Sequence, residues 1–373
     1  MSVHSAGDTR KRCRLIAFYL PQFHPIPEND AWWGKGFTEW TNVAQARPLF
    51  RGHHQPHVPA DLGFYDLRVP ETRLAQAEMA REYGIEGFCY WHYWFAGKRL
   101  LERPFNEVLK SSEPDLPFCL AWANQSWTGI WHGAPNRILV EQTYPGLQDY
   151  KAHFYALLEA FGDQRYITVA QKPVFAVYNP RGLPNPRQFT DCWRELALQQ
   201  GLKGLYFIGV GGWSWDPGTH GFDAAVHSNP AMALARLDKL GRIDRACQRL
   251  INRDLGFKQL YKKITAKPDI YSYRKAIKHM LPPLAKDLYP CVIPNWDNTP
   301  RSGVNGFVFH NSTPTLFATH LEQAIEQVCH READKQMVFV KSWNEWAEGN
   351  YLEPDQRFGR AFLQALSDTV FEN

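Results

Sequence analysis

No stretch of the 373-residue chain approaches the roughly 18 consecutive apolar residues of a membrane-crossing helix, so none is expected. The amino terminus, "MSVHSAGDTRKRCRLIAFYLPQF", carries basic residues, but its apolar stretch is only about seven residues long and runs into proline, too short for a secretory h-region. Cysteine is sparse and odd in number. Cys13, Cys89, Cys119, Cys192, Cys247, Cys291 and Cys329 are scattered, and three lie inside apolar strand-like runs where Cys acts as a small hydrophobe. Reduced thiols and a cytoplasmic location are the expectation. There is no internal repeat, no low-complexity tract and no Asp-X-Asp triplet. The Gly-rich "GVGGW" (209–213) lacks the spacing and following helix of a dinucleotide loop and reads as a tight turn. "GHHQPH" (52–57) offers His53, His54 and His57, but adjacent side chains diverge and no carboxylate or Cys completes a ligand set. Neither a metal nor a cofactor is expected, and the basic residues lack the interleaved aromatics of nucleic-acid modules.

What the chain does have is aromatic side chains, 14% of its residues including 14 Trp, beside an ordinary 21% of charged residues and a net charge of +4. That excess suits carbohydrate binding, where flat aromatic faces stack on sugar rings. The length fits one barrel-sized domain.

Eight short apolar runs, rich in β-branched and aromatic residues, alternate with helix-compatible segments. They are "RLIAFYL" (14–20), "IEGFCYWHYW" (85–94), "PFCLAWA" (117–123), "PVFAVY" (173–178), "LYFIGV" (205–210), "FDAAVH" (222–227), "YPCVIPNW" (289–296) and "MVFVKSW" (337–343). This is the pattern of repeated βα units around a buried parallel sheet. It predicts a single α/β domain over 14–373, a (β/α)8 TIM barrel with long βα-loop insertions, behind a flexible 1–13. Helices are expected over 71–84, closed by Gly84, and 313–332, opened by Thr313 with Pro314 in the first turn. One insertion, 23–65, reads as a long loop forming a wall over the mouth. The other, 231–288, carries fourteen Lys/Arg against five Asp/Glu, so it is +9 and the rest of the chain −5. It reads either as a solvated helical excursion or as peripheral contact with a membrane or lipid-linked glycan.

In such a barrel the reacting groups stand at the carboxyl ends of the strands. Candidate sugar contacts there are Tyr19 and Gln22, Trp91 and His92, Asn124 and Trp127, Trp296 and Asp297, and Asn344 and Trp346. Several admit a plainer role: His92 as a satisfied core histidine, Trp127, Trp131 and Trp296 as core, Asp297 as a turn residue bonding its own backbone. After the eighth run, "KSWNEWAEGNYLEP" sets Glu345 and Glu348 three residues apart. If a helix begins at Asn344, they share a face. Two close carboxylates raise one pKa and leave the other ionised, giving a general acid beside a general base, as glycosidic bond cleavage requires. The plain alternative is an acidic first helical turn.

Six segments together, "AFYLPQFHPIPENDAWWGKGFTEWTNV", "HQPHVPADLGFYDLR", "YGIEGFCYWHYWFAGKRLL", "PFCLAWANQSWT", "PNWDNTPR" and "KSWNEWAEGNYLEPD", resemble the WbsX family of O-antigen and capsule gene clusters, from about residue 14 to 360. That family is similar to glycoside hydrolase family 99, the endo-acting α-mannosidases and mannanases. The resemblance implies that Glu345 is a base acting on the substrate's own 2-hydroxyl and Glu348 an acid, with a 1,2-anhydro sugar between two half-reactions and net retention. Glu353, near the same rim, either binds a sugar hydroxyl or serves a structural ion pair. Where many members carry acids, this chain has Gln125 and His132, which leaves the pair intact and puts substrate preference in doubt.

The leading expectation is therefore an enzyme cleaving an α-linked oligosaccharide or polysaccharide. A glycosyltransferase or transglycosylase of surface-polysaccharide assembly is the alternative, and a non-catalytic carbohydrate-binding barrel a third.

Overall fold

The computed structural model describes residues 10–372, apart from 130–133, 212–214, 229, 235, 238–266, 282, 284 and 286. All eight apolar runs become barrel strands. They are β1 (Arg14–Tyr19), β2 (Gly87–Phe95), β3 (Phe118–Trp122), β4 (Lys172–Val177), β5 (Tyr206–Val210), β6 (Ala224–Val226), β7 in two pieces (Leu288–Tyr289 and Cys291–Val292) and β8 (Met337–Val340). Neighbours run parallel all the way round, with β1 between β2 and β8. The ring closes through β7, whose first piece pairs with β6 and whose second pairs with β8. Pro290 divides the two because it has no N–H for the ladder, yet its carbonyl still accepts from Phe339 N at 3.0 Å. Most strand positions are buried, as expected where helices cover the outside and side chains fill the inside.

Helices Pro70–Glu82, Arg103–Ser111, Leu147–Phe161, Pro186–Gln199 and Pro314–Glu326 cover the barrel, and Ala361–Val370 ends the chain. Proline in the first turn starts four of them, where its missing N–H has no intrahelical partner to lose. Asn185 and Thr313 cap two, accepting from Gln188 N and Leu316 N. The helix from Pro70 stops before Gly84, whose φ of +96° disfavours any side chain.

The 23–65 insertion is more ordered than a loop. It holds two short helices, Pro27–Trp33 and Glu39–Gln45, and clusters Phe23, Trp40 and Tyr65. In the other insertion only the flanks are described. Asp269–Ser272 pairs in parallel with Phe307–His310, an extra two-stranded sheet that the sequence reading lacked. Most of the basic segment, the end of "GVGGW", and Trp131 and His132 lie outside the described residues. So do residues 1–9; within 10–13 the Arg12 guanidinium bonds Glu322 at 2.6 Å and Cys13 is buried. The six described cysteines are unpaired. No helix among the described residues is long and apolar enough to cross a membrane.

Candidate active site

β8 ends at Val340, and the chain leaves it through a cis Lys341–Ser342 peptide into a hairpin, not the expected helix. Asn344–Glu345 pairs antiparallel with Asn350–Tyr351 around a 3-10 turn, Trp346–Glu348. Three hydrogen bonds fix its place. Asn344 accepts from Leu20 N (2.7 Å) and donates to Leu20 O (3.0 Å), tying the hairpin to β1. Asp297 N donates to Glu348 O (2.8 Å), tying it to the loop after β7. Gly349 makes the approach possible, because its φ is +63° and a Cβ there would stand 2.7 Å from Asp297 N. The hairpin, rather than helical periodicity, therefore brings Glu345 and Glu348 to one cavity wall.

Their surroundings differ. Glu345 is buried and accepts from Trp91 Nε1 at 3.0 Å, while its other oxygen receives no hydrogen bond. Glu348, with one-fifth of its side chain exposed, accepts from Arg301 Nη1 at 2.6 Å. Lys341 Nζ stands 3.6 Å from Glu345 and 3.9 Å from Glu348. Burial pushes the Glu345 carboxyl up to about 7, helped by the facing Glu348 and opposed by Lys341 and Arg301. Burial also acts on Glu348, but the charges of Arg301 and Lys341 outweigh it and hold that carboxyl below its ordinary value. Each carboxyl also acts on the other, Glu348 raising Glu345 and Glu345 lowering Glu348. They differ in proton affinity as a general acid and base must.

The pair lies where two lobes of one cleft meet. The first lobe, about 380 Å³, is walled by Gln22, Trp33, Trp91, Tyr93 and Trp127 together with Arg301, Lys341 and both glutamates. The second, about 370 Å³, adds Asn179, Ser228 and Trp296. Gln125, Tyr178, Lys341 and Glu348 belong to both lobes. Each lobe alone falls within the size range of ligand sites.

Of the sequence candidates, Gln22, Trp91, Trp127, Trp296, Glu345 and Glu348 line the cleft. The others are corrected. Tyr19 points outward and donates to Gln76 (2.7 Å), and His92 turns outward to His153 (2.8 Å), because successive strand side chains face opposite sides of the barrel wall. Asn124 braces the loop through Tyr144 and Asn179, and Asn344 braces the hairpin. Trp346 stacks on Tyr351 with ring centroids 3.8 Å apart and donates to Glu353 (2.6 Å). Glu353 accepts also from Tyr65 and Gln76, away from the cleft, and forms no ion pair among the described residues. Asp297 faces a separate small cavity, paired with His53 (2.7 Å) and Gln55 (2.7 Å), where His57 meets Tyr351. Among the described residues no group of three or more His, Cys, Asp or Glu is arranged to hold a metal ion.

Arg301, Lys341, Tyr93 and Tyr178 escaped the sequence reading. Lys341 had a signal, a lone cation ending an apolar strand run directly before the glutamates. Arg301 stood in "PNWDNTPR", but no spacing rule linked it to Glu348.

A family model described as "Glycosyltransferase WbsX" matches residues 15–366. The uncharacterized protein WxcX of Xanthomonas campestris pv. campestris (strain B100) is 41% identical over 362 residues, 95% of this chain and 49% of that protein. WxcX of strain ATCC 33913 matches to the same extent. The chain thus spans about half the length of the curated relatives it matches. Among solved structures, a glycoside hydrolase-like protein aligns with a TM-score of 0.59 at 14% identity, covering 100% of this chain and 98% of that one. The GH99 endo-alpha-mannosidase from Bacteroides thetaiotaomicron aligns at 0.55 with 15% identity, covering 95% of each chain. These likenesses show the fold.

Proposed function

We propose, from the premise that this chain belongs to the WbsX family, that it is a glycan-active enzyme which opens an α-glycosidic bond through the substrate's own 2-hydroxyl. The observation that carries this reading is the pair itself: two carboxyl groups on one cavity wall, beside the meeting point of two aromatic-walled lobes. The sugar whose bond is opened sits in one lobe and the departing glycan in the other. Glu345 takes the 2-hydroxyl proton as that oxygen attacks the anomeric carbon. Glu348 gives its proton to the leaving oxygen, and a 1,2-anhydro sugar results. An incoming hydroxyl then adds at the anomeric carbon, its proton returns to Glu348, and Glu345 reprotonates the 2-oxygen. Two inversions give net retention, and no protein nucleophile is needed.

Water as the incoming group makes the reaction a hydrolysis. A sugar hydroxyl makes it a transfer, and the family's glycosyltransferase description together with the second, comparably large lobe favours this variant as the second reading. Both variants share one requirement. A 2-deoxy analogue of a turned-over glycan is expected to bind in the cleft, read by calorimetry, yet to release no product. Turnover of the 2-deoxy compound at a comparable rate contradicts participation by the 2-hydroxyl.

A further inference from the structure

A chain of buried charges runs behind the cleft wall. Glu39, fully buried, accepts from Arg301 Nε (3.1 Å) and Nη2 (2.5 Å), and Arg301 reaches on to Glu348. On the other side Lys341 stands near both glutamates and lies over the Trp296 ring, 5.4 Å from its centroid. Three carboxyl groups thus face two cations. Fully ionised, the set carries −1; with one bound proton it is neutral, the total that a buried site favours. The proton's place follows from the contacts. Glu348 accepts from Arg301 and from Asn350 (3.3 Å), and Glu39 accepts twice from the Arg301 guanidinium; Glu39 and Glu345 each keep one oxygen without a hydrogen bond, but Glu345 accepts only from the neutral Trp91 indole and so holds the proton. The remaining titratable groups near the pair, Tyr93 on β2, Tyr178 after β4 and Cys291 on β7, are pushed up by burial and stay neutral.

We propose, resting on the glycan-active reading above, that Glu39, Arg301 and Lys341 are positioning residues that hold the Glu345/Glu348 pair in its one-proton form, with the proton on Glu345 until a glycan occupies the cleft. A third cation strips that proton and leaves no acid; a missing one protonates both carboxyls and leaves no base. Arg301 is itself on the cleft wall. A sugar hydroxyl docking on the guanidinium loosens its hold on Glu348, the proton crosses from Glu345, and the pair is set with Glu345 as base and Glu348 as acid.

The test combines two readouts on Lys341→Met and Glu39→Gln: the pH profile of kcat, and the carbon-13 titration of δ-labelled glutamate, assigned with Glu345→Gln and Glu348→Gln. In the wild type two glutamates are expected to titrate near neutrality, Glu345 and Glu353 of the scaffold, and the resonance that vanishes in Glu345→Gln is the one that reports the pair. Removing the Lys341 cation tightens the shared proton, so the basic limb and the titration move up by about 1 pH unit or more. Removing the Glu39 anion frees the Arg301 charge and moves both down by less. A residue with only a packing role does not produce opposite shifts. Should Lys341→Met not fold, Lys341→Gln carries the same expected sign. A limb or titration that stays fixed in either variant, or moves the same way in both, overturns the inference. The glutamate titration reads the proton even if no glycan is turned over, so failure of the functional reading is distinguishable from failure of this one.

Discussion

Glu353 sits in the same sequence motif as the catalytic candidates but serves the scaffold, accepting from Tyr65 (2.9 Å), Gln76 (2.6 Å) and Trp346 (2.6 Å). Burial pushes its carboxyl up to about 7, against the pull of those donors. A raised folded-state pKa means that the folded protein holds a proton the unfolded chain has released. The associated stability is therefore complete below the unfolded value near 4.5 and is lost as pH rises through about 7. At most about 3 kcal/mol is involved. The melting temperature is expected to fall across that window, and Glu353→Gln to flatten the fall; calorimetry at constant ionic strength decides, and an unchanged slope in the variant contradicts the assignment. Single side chains were the least legible feature of the sequence. Position at a strand end gives a residue's height in the barrel but not its direction, and so Trp91 lines the cleft while its neighbour His92 faces His153. Nothing in β2 marks the alternation, since all nine of its residues are buried.

The 344–351 hairpin is the element on which the site depends. Residues three apart meet on a helix, and that spacing suggested one here. The same two glutamates converge because a 3-10 turn, closed by left-handed Gly349, folds them onto the end of β7. Gly349→Ala is expected to cost about 1–3 kcal/mol in chemical denaturation, from the strained φ and from the clash with Asp297. It is also expected to lower kcat by about 10²-fold, because Glu348 shifts relative to Arg301. Lost stability with unchanged kcat would show that the turn does not set the carboxylate geometry. The strands were far easier to read. Each stood out as an apolar run of strand length, buried on both faces, and only the break at Pro290 fell inside one.

For the whole molecule, the order of eight apolar runs was enough to specify a closed barrel, because parallel strands linked by helices leave few other ways to bury both faces. Packing of the long first insertion was not legible. Its Glu39, His53 and Gln55 find partners in residues hundreds of positions away, Arg301 and Asp297. The charge asymmetry of 231–288 is plain in the sequence, and the segment it marks is mostly outside the described residues. The cleft at the carboxyl end of the strands unites these scales, since the barrel supplies the mouth, the hairpin the pair, and buried cations their difference in proton affinity. The most direct measurement is proton NMR of the protein with a panel of α-mannosyl and O-antigen oligosaccharides, and in parallel with nucleotide sugars and acceptors, beside Glu348→Gln. The expected result is release or transfer of a glycan with its anomeric configuration retained, slowed about 10²–10⁴-fold in the variant. Consumption of a nucleotide sugar with every oligosaccharide left intact would contradict the account and leave the two glutamates without the roles given to them.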